Sequence, residues 1–129
     1  MEVQRVTQKR RMSPEDSVRF QLLTSLTFFK KETLTPSELD ILTHLVLRGS
    51  VDLGKFCNDT VKKMYVIERM EDFSVKAQNI RNIITKLQKR GFISKSNGKG
   101  KKQITINPEI DIKCGGNVLI DYQFLCVES

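Results

Sequence analysis

At Gly91 the hydrophobic pattern of this 129-residue chain changes period, and the change restricts the fold to one that mixes helices with a small sheet. Upstream, Ile80, Ile83, Ile84 and Leu87 recur at i, i+3, i+4 and i+7, the spacing of one buried helical face. Downstream, Phe92-Ile93-Ser94 opens a strand and Ile104-Thr105-Ile106 returns antiparallel to it. Between them, Lys95 to Lys102 holds Asn97-Gly98 and Gly100, residues suited to a hairpin turn. The pattern predicts a helix over 74–90, capped by Ser74 and stopped at Gly91, followed by a hairpin joining 92–95 to 103–106.

Earlier in the chain two helix starts are written in the sequence. Thr35-Pro36-Ser37-Glu38 is a capping box with proline at the first helical position, and Leu34 and Leu39 stand at the two ends of a hydrophobic staple. Leu39, Leu42, Leu45 and Val46 give the buried face of a helix over 36–48, with Gly49 as its stop. Ser13-Pro14-Glu15-Asp16 is the other start, followed by a stripe of Val18, Leu22, Leu26 and Phe29 that predicts a helix over 14–31. A fourth helix is expected over 59–70 with Val61, Met64, Tyr65 and Ile67 inward, after a connection over 50–58. Residues 1–12 are polar and basic and are expected as an arm.

A second alternating pair is expected near the C-terminus, with Ile110 and Ile112 before Gly115-Gly116-Asn117 and the run from Val118 to Cys126 after it. Residues 118–127 are apolar at nearly every position, on both faces of a strand. Such a strand needs more cover than a small core supplies, so it is expected in a self-association or partner interface.

The net charge of +7 is unevenly placed. Lys76 to Lys102 contains nine basic residues and no acid, so the rest of the chain sums to −2. Basic charge without interspersed acid is the footprint expected of a surface that meets a phosphate backbone. If Ile80, Ile83, Ile84 and Leu87 face the core, then Lys76, Gln78, Asn79, Arg81, Asn82, Lys86 and Lys89 lie on the other side of the helix. Asn and Gln pair with adenine and Arg with guanine in the major groove, while lysines further along and at the hairpin (Lys95, Lys99, Lys101 and Lys102) suit phosphates.

Other chemistries find little purchase. Cys57, Cys114 and Cys126 are odd in number and form no C-x-x-C pair, as expected of reduced thiols in a cytosolic chain. Zinc held by these and His44 would need ligands from four separate segments, so no metal or other cofactor is expected. His44 reads as a packed or surface residue. With one histidine, no G-x-S-x-G and no P-loop, an enzyme is not expected. No apolar run approaches a membrane span and none follows the basic N-terminus, so neither a membrane segment nor a signal peptide is expected.

The run from Ser74 to Ile84 (SVKAQNIRNII), followed by Lys86 to Ile93 (KLQKRGFI), resembles the recognition helix and first wing strand of winged helix-turn-helix proteins. Leu34-Thr35-Pro36-Ser37-Glu38 is similar to the first helix of MarR-type repressors and of small winged-helix proteins of tailed bacteriophages and plasmids. The wing lacks the Asp-x-Arg element usual in MarR-type proteins, and strands stand where those proteins have a dimerising helix. The phage and plasmid proteins are therefore the closer likeness. The resemblance covers about Leu34 to Ile106 and implies an α+β fold, a three-helix core plus a β-hairpin wing, here with an extra N-terminal helix and C-terminal β-strands. It implies groove-facing roles for Gln78, Asn79, Asn82 and Lys86 and wing roles for Lys99, Lys101 and Lys102.

The resulting expectation is a basic arm over 1–12, a winged-helix domain over 13–107 and a C-terminal β extension over 108–129. The expected partner is double-stranded DNA, read in sequence by a regulator or replication accessory of a phage or mobile element in the bacterial cytoplasm. The alternative is a structural component of a phage particle or other assembly, located in the virion, that uses the same fold as a packing unit.

Overall fold

The computed structural model describes residues 2–29, 32–98, 101–110, 112 and 118–128. In chain order these form β1 (Glu2–Met12), α1 (Pro14–Leu22), a π-helix (Leu23–Phe29), α2 (Pro36–Arg48), β2 (Val51–Asp52), α3 (Leu53–Met64), α4 (Met70–Lys89), β3 (Ile93–Gly98), β4 (Lys101–Ile106) and β5 (Val118–Glu128). The fold is α+β. Four α-helices pack with an antiparallel three-stranded sheet of order β2-β4-β3, and β1 and β5 form a separate two-stranded sheet.

The two legible helix starts take the conformations their residues dictate. Ser13 Oγ accepts the Asp16 amide at 3.1 Å to begin α1. At α2 the Thr35 hydroxyl accepts the Glu38 amide at 3.2 Å, and Glu38 Oε1 accepts the Thr35 amide at 2.9 Å, closing the capping box. Gly49 ends α2 at φ +74°, a conformation that strains any residue with a Cβ.

Three expected helices differ from the structure. The segment over 14–31 is α-helical only to Leu22 and continues as a π-helix to Phe29, with Lys30 and Lys31 outside the described residues. The Thr24 hydroxyl donates to the Phe20 carbonyl at 2.8 Å, the kind of back-bond that competes with the regular ladder. Val18, Leu22 and Leu26 are nevertheless all buried, so these three members of the expected stripe keep a common buried side through the change of winding.

The helix expected over 59–70 instead runs over Leu53–Met64. Asp52 caps it by accepting the Lys55 amide at 3.0 Å. Its buried face is Leu53, Phe56, Cys57, Thr60 and Val61, a stripe that begins inside the expected connection. The helix stops where Tyr65 turns extended. Arg48 donates to Asp59 at 2.8 Å and ties α2 to α3, which holds the Asp59 carboxyl below its ordinary range.

The last helix begins at Met70, four residues before Ser74, which lies exposed within it. The apolar stripe extends back through Ala77 to Phe73, and Glu71 and Asp72 occupy the first turn, where carboxylates complement the helix dipole. At the other end Gly91, at φ +85°, completes a Schellman motif. The Phe92 amide donates to the Leu87 carbonyl at 2.9 Å and the Gly91 amide to the Gln88 carbonyl at 3.0 Å. Leu87 and Phe92, at the two ends of this motif, are both buried in the core.

The predicted hairpin is present: Ile93 pairs with Ile106, and the register runs out to Gly98 opposite Lys101. The short β2 adds to its other side, Val51 opposite Ile104. Asn107 fastens the base of the hairpin, its Nδ2 donating to the Gly91 carbonyl at 2.8 Å and its own amide to the Phe92 carbonyl at 2.9 Å. Phe56, Ile41, Leu42, Leu45, Ile80, Ile84, Leu87 and Ile104 meet in one core between the helices and the sheet.

The C-terminal expectation is corrected. Val118–Glu128 does not pair with Ile110 and Ile112; Ile110 is buried in the core, and Gly115-Gly116-Asn117 lies outside the described residues. The partner of β5 is the segment expected as a basic arm. The two run antiparallel from Glu2 opposite Glu128 to Met12 opposite Val118. Sequence alternation could not reveal this pairing, because it joins opposite ends of the chain and no turn residue marks it.

Candidate nucleic-acid interface

Helix α4 separates its side chains by chemistry. Ile80 and Ile84 are each only 1% exposed, and Leu87 is fully buried. The other side presents Gln78, Asn79, Arg81, Asn82, Lys86 and Lys89, all exposed, with Lys76 half-buried. The hydrophobic period therefore fixes the helix rotation, and the polar residues point outward as a consequence.

The outward residues are not equivalent. Gln78 Nε2 donates to Asn82 Oδ1 at 2.9 Å across one turn, which leaves the Gln78 carbonyl oxygen and the Asn82 amide hydrogens for an outside partner. The side chain of Asn79, beside them, has no hydrogen-bond partner among the described residues. Lys76 places its ammonium 4.8 Å from the centre of the Tyr65 ring, anchored over the loop that precedes α4. The Arg81 guanidinium lies over the start of α3: a Cβ on Gly54 would stand 3.5 Å from Asp52 Oδ2 and 3.9 Å from Arg81 Nη2.

The hairpin brings further cations. Lys95 and Lys102 are exposed on β3 and β4, Lys101 is the first residue of β4, and Lys99 lies outside the described residues. Lys95 stands opposite Ile104 in the register. Burial pushes the Cys57 thiol above its ordinary value, with Arg81 and Lys95 pulling it the other way and Asp52 adding to the rise.

Arg90 belongs to the same basic window but does a different job. It donates to the Thr33 carbonyl at 2.6 Å, to Glu38 Oε2 at 3.1 Å and to Glu32 Oε2 at 3.3 Å, and its guanidinium lies 4.8 Å from the centre of the Phe92 ring. It bolts the end of α4 to the start of α2. Glu38 thereby serves both the capping box and this pair, one oxygen each. Only the spacing of Glu32 and Glu38 about the capping box hints at this in the sequence, and a count of charges passes over it.

Sequence reasoning also missed the first turn of α4. Glu71 and Asp72 lie on the same helix as the cations, and Met70 and Val75 expose their side chains there. The basic surface therefore begins in the second turn, at Lys76, and continues toward the hairpin. The signal that could have found the true start was Phe73, which extends the core stripe back by two turns from Ile80.

His44 is packed, its Nδ1 2.9 Å from Thr60 Oγ1 and its ring 5.0 Å from that of Phe56. Among the described residues no three His, Cys, Asp or Glu side chains gather as a metal site, and no helix is long and apolar enough to cross a membrane. Compared with known proteins, the chain matches no family model, no curated protein and no solved structure.

Proposed function

We propose that this protein is a winged helix-turn-helix protein that reads double-stranded DNA, with α4 in the major groove and the β3–β4 hairpin against the neighbouring phosphates. The observation that carries this reading is the surface of α4, where Gln78, Asn79 and Asn82 lie among exposed cations while Ile80, Ile84 and Leu87 fix the opposite face in the core. An α-helix fits the major groove, and amides there distinguish adenine by paired donor and acceptor contacts. The order α2-β2-α3-α4-β3-β4 is the order such a domain requires. The resemblance of the Leu34–Glu38 and Ser74–Ile93 runs to small phage and plasmid winged-helix proteins supports a role as regulator or replication accessory of a mobile element.

Selection of bound duplexes from a random pool tests this. The wild type is expected to enrich a defined site. Asn79→Ala and Asn82→Ala should each lose about 1–3 kcal/mol of discrimination at particular base pairs. Replacing Lys99, Lys101 and Lys102 with Ala should weaken all sequences alike. A pool that stays random, with equal binding to every duplex, would refute the reading of sequence.

One observation favours a second role, as a structural component of a phage particle or other assembly: β1 and β5 make a sheet of their own, apart from the sheet that packs on the helices. Under that reading DNA selection enriches nothing, and the protein co-purifies with assembled particles.

A further inference from the structure

The β1–β5 sheet has two strands of eleven residues each, and among the described residues no third strand joins either edge. Among the described helices and strands, α1 is the element with which the ribbon makes its main contact. A two-stranded ribbon is marginal in water and gains independent stability from a third strand or a covering element. Each of its open edges also presents unpaired backbone groups to any strand that fits.

The two edges differ in charge. β1 carries Arg5, Lys9, Arg10 and Arg11, whereas β5 carries no cation and only Asp121 and Glu128 among eight apolar residues and Gln123. Joining two β1 edges would set cations opposite or diagonal to cations, which is unfavourable. Joining two β5 edges brings apolar residues together and leaves the cationic strands outside, where charge guards an edge against further pairing.

We propose that two copies of this chain join edge to edge through β5, antiparallel about a two-fold axis at Gln123, in a four-stranded sheet ordered β1-β5-β5-β1. Closed two-fold pairing requires one surface to be complementary to itself. The register centred on Gln123 is the one that pairs the whole length of β5 with itself. It sets Leu119 opposite Val127, Ile120 opposite Cys126 and Tyr122 opposite Phe124. It also keeps the two Asp121 residues apart, each opposite a leucine at position 125. The inference stands on the ribbon alone and is independent of DNA binding.

The mass of the full chain in solution tests it, at concentrations from about 1 to 100 µM, the range in which association through a single patch is decided. The expected species is a dimer. Tyr122→Lys with Phe124→Lys puts cations into the seam and should give a monomer, while Thr7→Lys, on the outer strand, should leave the dimer intact. Because the double variant could also loosen the ribbon, cysteine cross-linking provides a second reading. In a chain with Cys114 and Cys126 changed to Ser, Gln123→Cys should form a covalent dimer on oxidation and Thr7→Cys should not. A monomer throughout the range, a species larger than a dimer, or cross-linking through position 7 rather than 123 would overturn the proposal.

Discussion

Among the described residues, four lysines on the proposed DNA-binding surface are exposed: Lys86 and Lys89 on α4, and Lys95 and Lys102 on the hairpin. Each lysine that neutralises a phosphate releases condensed counterions and contributes about −0.9 to the slope of log K against log salt. These four contacts alone give a slope of about −3.6, equivalent to roughly a 150-fold loss of affinity between about 50 and 200 mM salt, and Lys99 and Lys101 steepen it further. Lys86→Ala with Lys89→Ala should make the slope shallower by about 1.8. Arg90→Ala makes the informative comparison. Arg90 is engaged with Glu32, Glu38 and the Thr33 carbonyl, so its loss should lower the melting temperature and leave the slope unchanged. Fluorescence anisotropy of a labelled duplex across a salt series reads all three slopes. A wild-type slope near zero would refute the reasoning, as would an Arg90→Ala slope that falls as far as that of the lysine pair.

Two further predictions concern the body of the fold. Phe56 is fully buried at the meeting of α3 with the core, so Phe56→Ala should cost about 3–5 kcal/mol by denaturant unfolding; a cost below about 1 kcal/mol would contradict the packing described. His44 is held below its ordinary value of 6.5, first by burial and then by Lys63 and Arg48, against the weaker pull of Asp59 and Glu15. The unfolded chain therefore takes up the proton first as pH falls. The contribution of neutral His44 is intact above about 6.5 and is lost as pH drops from there toward the folded value. His44→Gln should accordingly show a smaller fall in melting temperature between about pH 7.5 and 5.5 than the wild type, and an equal fall would contradict the assignment.

The parts of the fold legible in the sequence are those set by local chemistry. The capping box at Thr35–Glu38, the glycine stop at Gly91 and the change of period beyond it all carry their structural meaning within a few residues. Where reading failed, a weaker local signal was set against a stronger tertiary one. Ser74 is a good cap by type, but the packing of partly buried Phe73 against the core draws α4 back to Met70, whose cap residue Arg69 makes no side-chain bond. Asp52 is also a good cap by type, but Gly54 weakens the helical pattern behind it, although Leu53, Phe56 and Cys57 mark the stripe. The pairing of β1 with β5 is non-local, and no residue of either strand signals the other. On α4, hydrophobic period alone sufficed to place Gln78, Asn79, Arg81, Asn82, Lys86 and Lys89 outward. The role of Arg90 depended on the arrival of Glu32 and Glu38 from more than fifty residues away.

The central claim, that α4 and the β3–β4 hairpin meet duplex DNA, is tested most directly by amide chemical-shift mapping of the labelled protein titrated with a short duplex at low salt. The account predicts that the amides shifting most lie in α4 from Lys76 to Lys89 and in the hairpin from Lys95 to Lys102, with the amides around Phe56 and Leu45 in the core left in place. Shifts confined to β1 and β5, or none anywhere with duplex in excess, would contradict it.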